Sequence, residues 1–103
     1  MRVIWNSRAK AAKHQVAVYI RRQFGLKREK KFLQEVDQTA EMLLRSPFIG
    51  KIDPLFADRN ITYRSVIVNG LNKMVYYVKD DTIRIAAFWD VRRDPDTLAG
   101  RVK

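Results

Sequence analysis

Residues 61–90 read ITYRSVIVNGLNKMVYYVKDDTIRIAAFWD. Three runs rich in Val, Ile, Tyr, Phe and Trp, namely Ile61–Val68, Lys73–Lys79 and Thr82–Asp90, are separated by Asn69-Gly70 and Asp80-Asp81. β-Branched and aromatic side chains suit the pleated surface of a strand, and the two dipeptides suit tight turns. The stretch predicts three consecutive antiparallel strands.

Upstream the period changes. Ala9, Ala12, Val16, Tyr19 and Ile20 recur at helical spacing after a plausible N-cap at Ser7, while Lys10, His14, Arg21 and Arg22 project from the other side. Gly25 is a natural helix stop. A second stripe, Phe32, Leu33, Val36, Thr39, Ala40, Leu43 and Leu44, predicts a helix from near Lys27 to Ser46-Pro47, where the proline disfavours further helix. The short connection makes the pair an antiparallel hairpin. Ahead of it, Val3-Ile4-Trp5 reads as a short first strand, residues 47–60 read as a loop, and the polar tail Val91–Lys103 reads as a short helix or a frayed end.

The predicted order is strand, helix, helix, strand, strand, strand. It implies an α+β two-layer sandwich, with the N-terminal strand completing the sheet. Both helical stripes are expected on one sheet face, leaving the other free for a partner or substrate.

Composition agrees. A chain of 103 residues fits one domain, residues 1–103, and 47% hydrophobic residues can supply a core. The absence of cysteine excludes disulfides and thiol chemistry, and a lone His14 gives no histidine metal pair, so neither metal nor cofactor is expected. No apolar run is long enough to span a bilayer, and Met1-Arg2-Val3-Ile4-Trp5 lacks a secretory signal's long apolar stretch. A cytoplasmic protein without membrane contact is expected. The net charge of +10 is uneven: residues 1–31 hold ten basic residues against Glu29 alone. Such asymmetry points to anionic partners.

Arg64, Lys73, Arg84, Arg92 and Arg93 lie on or just after the predicted strands. If they shared the uncovered face they would form a phosphate-attracting concavity, with Tyr63, Tyr76 and Tyr77 available to stack on bases. Taken one at a time, strand tyrosines more often fill half-buried surface. Asp90 and Asp94 beside Arg92 and Arg93 also fit a salt-bridge network that pins the tail.

Several pieces in order carry a family resemblance. They are Trp5-Asn6-Ser7-Arg8-Ala9, Tyr19-Ile20, Phe24-Gly25, Phe32-Leu33, Leu43-Leu44-Arg45-Ser46-Pro47-Phe48-Ile49-Gly50, Tyr63-Arg64-Ser65, Met74-Val75-Tyr76-Tyr77-Val78, Ile83-Arg84-Ile85 and Arg92-Arg93-Asp94-Pro95. Together they resemble the RelE/ParE superfamily of toxins from bacterial type II toxin–antitoxin systems. The resemblance implies a growth-inhibiting toxin, associated with plasmid stabilisation and neutralised by a cognate antitoxin. Promoter DNA would be bound only through the antitoxin complex.

The superfamily divides by target: RelE-like members cut mRNA on the ribosome, and ParE-like members inhibit DNA gyrase. For a RelE-like endoribonuclease, the resemblance assigns Arg64, Lys73, Arg84 and Arg92 as metal-independent catalytic residues. The C-terminal Tyr or His that often serves as acid or base has no counterpart, and Leu98 falls near its place. RNA cleavage requires activation of the 2′-OH and protonation of the leaving oxygen. The resemblance therefore leans to the ParE side. It implies target contact through Trp89, Asp90, Arg92, Arg93, Tyr63 and Tyr77, and antitoxin docking on the hairpin and the apolar sheet edge. A basic nucleic-acid-binding module without toxicity is the further alternative.

Overall fold

The computed structural model describes residues 1–102. Its elements run β1 (Arg2–Trp5), α1 (Ser7–Phe24), α2 (Leu26–Arg45), β2 (Lys51–Ile52), a 3₁₀ turn (Pro54–Phe56), β3 (Arg64–Val68), β4 (Asn72–Lys79), β5 (Thr82–Asp90) and α3 (Pro95–Arg101). The sheet order is β1-β5-β4-β3-β2. The α+β sandwich stands, with the meander at its centre and β1 pairing parallel to β5. Among the described residues no helix is long and apolar enough to cross a membrane.

Both meander turns use positive φ at each central residue: Asn69 (50°) and Gly70 (74°), then Asp80 (52°) and Asp81 (59°). Such turns match the right-handed twist of the flanking strands. The hairpin connection is tighter than predicted, since Gly25 alone separates the helices at φ 94°, a conformation that glycine adopts without steric cost. Asn6, not Ser7, caps α1. Its side chain accepts from the Ala9 N–H at 2.7 Å and donates to the Ala86 carbonyl at 2.9 Å, so one residue starts the helix and ties it to β5.

On the first sheet face, Phe32, Val36 and Leu43 of α2 and Ala9 and Ala17 of α1 pack on Val68, Met74, Tyr76, Ile83, Ile85 and Phe88. Register shifts beside Val75 and Tyr76, where Val75 faces Ala87 but Tyr76 faces Ile85. Ala86 is the extra residue, a bulge that turns Phe88 toward the helices and Ala87 and Trp89 away from them.

The expectation of a free second face is corrected. Phe56 of the 3₁₀ turn and Leu98 and Val102 at the C-terminus cover Tyr63, Val75, Ala87 and Trp89 there. Arg59 clamps this cover. Its guanidinium donates to the Ala99 carbonyl at 2.7 Å and to the Val102 carbonyl, satisfying the end of α3, and lies over the Phe56 ring at 5.5 Å. The expected loop 47–60 also carries order: β2 pairs with β3, and buried Asp53 caps the 3₁₀ turn through the Leu55 N–H at 3.0 Å.

Candidate functional site

The basic strand residues do not converge. Paired residues on neighbouring strands point to the same side of a sheet. Arg64 faces Tyr76 and so lies on the helix-covered side, where it donates to the Phe48 and Gly50 carbonyls at 3.2 and 2.9 Å. Lys73 and Arg84 lie on the second face. Their register partners on β4 and β5 place them four residues apart along the strand, roughly 13 Å at about 3.3 Å per residue. Lys73 Nζ sits 2.8 Å from Oδ2 of Asp53, a close contact poorly directed for a hydrogen bond, hence an ion pair. Arg84 is half-buried, and among the described residues its Nε finds no hydrogen-bond partner. Arg92 lies beyond the end of β5.

The tyrosines are equally committed. Tyr63 is 3% exposed, with ring centroids 5.1 Å from Phe56 and 5.4 Å from Tyr77. The Tyr76 hydroxyl donates to the Pro47 carbonyl at 2.8 Å and accepts from the Gly50 N–H at 3.0 Å. Burial raises the pKa of both Tyr63 and Tyr76, so each holds its proton at neutral pH. Base stacking by Tyr63 or Tyr76 would require opening the core.

Trp89 is only 4% exposed, too little to meet a target face-on. It acts as a platform: Arg93 and Arg101 lie over its ring at 4.1 and 5.3 Å. Beside it Asp90 grips Arg92. The Arg92 Nε and terminal nitrogen donate to the two carboxylate oxygens at 3.0 and 2.7 Å, and the Arg92 backbone N–H donates at 2.8 Å. This fork holds the Asp90 carboxyl down at about 2. Arg92 itself remains 69% exposed, so an oriented guanidinium is presented to solvent at low entropic cost.

That guanidinium stands at the mouth of a groove of about 710 Å³ between the hairpin and the end of β5. Val16, Ile20, Phe32 and Phe88 contribute to its apolar lining, Tyr19 and Phe24 flank it, and Arg28, Lys31, Arg92 and Arg93 supply four cations against the carboxylates of Glu35 and Asp90. Tyr19, read from the sequence as part of the buried stripe, is 58% exposed, as is Phe24. The stripe spacing marks Tyr19 as apolar-facing, but it lines the groove and is not part of the core.

The sequence pattern of the family described as ParE toxin of type II toxin–antitoxin system, parDE, matches residues 3–95. The chain belongs to this ParE toxin family. Its match runs through the hairpin and all five strands to the Trp89–Arg93 segment. Among solved structures, a chain of the chromosomal ParDE toxin–antitoxin system from P. aeruginosa is similar, with TM-score 0.71 and 17% identity, covering 88% of this chain and 96% of that one. At that identity the likeness speaks for the fold alone. Comparison with curated proteins gives no match. In this ParE-family toxin, Leu98 is not a stand-in for an acid or base at the surface. It is 1% exposed and belongs to the second-face core.

Proposed function

We propose that this ParE-family toxin inhibits growth by binding DNA gyrase, and that its antitoxin neutralises it by filling the groove. One observation carries the reading: Arg92, held in a fixed orientation by Asp90, stands exposed beside a groove that joins apolar side chains to four cations. Pre-oriented arginines beside apolar anchors are favoured binding hot spots. Asp90, Arg92 and Arg93 are the target-contact residues, and Trp89 supports Arg93 from beneath. An antitoxin segment with apolar residues on one side and carboxylates on its flanks would match the groove's lining and rim.

The dispersal of Arg64, Lys73, Arg84 and Arg92 favours binding over cleavage, since proton transfer in RNA hydrolysis needs its groups within hydrogen-bond reach of one substrate. The purified toxin is expected to abolish supercoiling by gyrase while leaving mRNA in a translation extract intact. Arg92→Ala should relieve the inhibition. Codon-dependent mRNA cuts without loss of supercoiling would establish the endoribonuclease reading instead.

A further inference from the structure

The densest charge in the molecule is away from the strands. The hairpin tip, residues 21–31, carries Arg21, Arg22, Lys27, Arg28, Lys30 and Lys31, all exposed, against Glu29. Glu29 is engaged by Arg21 at 3.8 Å. Among the described residues the other five basic groups have no carboxylate within 4.0 Å. Phe24 and Leu26, 58% and 68% exposed, sit at the same turn, and Arg28 lies over the Phe24 ring at 5.6 Å. Six cations against one carboxylate in eleven residues raise the folded state's self-repulsion.

We propose that the hairpin tip binds the phosphate backbone of duplex DNA, without sequence preference and independently of any antitoxin. Arg28 and Lys31 also line the groove, but Arg21, Arg22, Lys27 and Lys30 stand exposed around the turn, outside any groove lining shared with the site. Duplex DNA presents about one charge per 1.7 Å of axis, so exposed cations around a helix turn find phosphates at many rotations. A folded acidic protein would have to match each position separately. Geometry also sets the absence of sequence preference. Two packed helices, with axes roughly 8–10 Å apart and each about 10 Å across, are too wide for a major groove of about 12 Å. The tip lies across the backbone and does not reach base edges. The proposal does not depend on gyrase being the target, because it concerns the toxin alone on naked DNA.

The test uses fluorescence anisotropy of a labelled mixed-sequence 20-bp duplex, titrated with the purified toxin at several salt concentrations. The variant Arg22→Gln/Lys27→Gln/Lys30→Gln alters exposed cations outside the groove lining, and circular dichroism checks that it folds. Each lost phosphate contact lowers the log–log salt slope by about 0.9, so the triple variant should lose two to three units of slope and about tenfold or more in affinity at low salt. A control with equal charge removed elsewhere, Arg2→Gln/Lys51→Gln/Lys79→Gln, should keep the wild-type slope. Equal losses in both variants overturn the proposal. So does tighter binding at matched salt to phosphatidylserine vesicles or to poly-glutamate than to the duplex.

Discussion

The two faces of the sheet are covered by unequal amounts of chain. On one, an 18-residue and a 20-residue helix lie over the meander. On the other, a three-residue 3₁₀ turn and a seven-residue helix suffice to bury Trp89 and Tyr63. The first face is held by many interlocked aliphatic contacts, the second by a few clamps: Arg59 on the α3 carbonyls, Lys73 on Asp53 and Arg93 over Trp89. Global stability should therefore depend on the helix-covered face. The second face should open locally, at a free energy below that of whole-molecule unfolding.

Leu43→Ala tests the first half of that contrast and carries the largest expected effect. Leu43 is 0% exposed in the last turns of the α2 stripe. Truncation should cost about 3 kcal/mol in denaturant unfolding, within the range for buried leucines. A loss below about 1 kcal/mol would place the stability elsewhere.

Gly50→Ala probes the rim where the loop after α2 meets the same face. A Cβ at residue 50 would lie 2.6 Å from the Tyr76 hydroxyl oxygen and 3.0 Å from the Ser65 carbonyl oxygen. The backbone oxygen cannot give way as a flexible side chain can, so a loss of about 2 kcal/mol is expected. Tyr76→Phe removes the hydroxyl and leaves the Gly50 N–H and Pro47 C=O without that partner, at a cost of about 1–2 kcal/mol. In the double variant the total loss should fall somewhat below the sum of the two, because deleting the hydroxyl removes the nearest contact of the new methyl while the ring carbon Cε1 at 2.8 Å and the Ser65 carbonyl remain.

Leu98→Ala addresses the second face. The side chain is about as buried as Leu43, but its helix has seven residues against the twenty of α2. The expected signature is faster amide exchange at residues 95–102 and Trp89 fluorescence of a more solvated indole, with a global stability loss of about 1 kcal/mol. That is under the range for a leucine in a rigid core. A loss equal to that of Leu43→Ala would make the two faces one cooperative unit.

The same inequality explains what the sequence made legible. The meander and hairpin are long, periodic and punctuated, and β5 runs from Thr82 to Asp90 as predicted. The second-face cover left almost no signal. β2 is two residues long, too short for an alternating pattern, and the C-terminal cover comes from Leu98 of α3 and Val102 just beyond it, in a largely polar tail. Because that cover was invisible, Trp89 and Tyr63 read as contact residues when they are core. Arg92 and Asp90 were nameable from their two-residue spacing, but the fork between them depends on the chain turning immediately after β5. Arg59 has no motif at all. Its role arises because a residue of the 47–60 loop lies under the C-terminal carbonyls of α3.

The smallest expected effect on stability lies at the boundary of the two faces, and it is read by titration. Asp90 sits at about 2, below its ordinary 3.8, chiefly through the Arg92 side chain and secondly through the Arg92 backbone N–H. A depressed carboxyl stabilises the fold above its unfolded pKa, and that contribution is lost as pH falls from about 4 through 2. Arg92 is largely exposed and the pair is screened by salt, so Arg92→Ala should barely move the melting temperature at pH 7. Carboxyl NMR is the sharper readout. In the variant the Asp90 midpoint should rise, yet stop short of 3.8, because the backbone N–H of residue 92 still donates and Arg93 remains nearby. A midpoint that stays at about 2 would mean that the turn backbone, not the guanidinium, holds the carboxylate. Arg92 would then be a mobile surface cation like those of the hairpin tip, without the fixed orientation on which its proposed role in target contact rests.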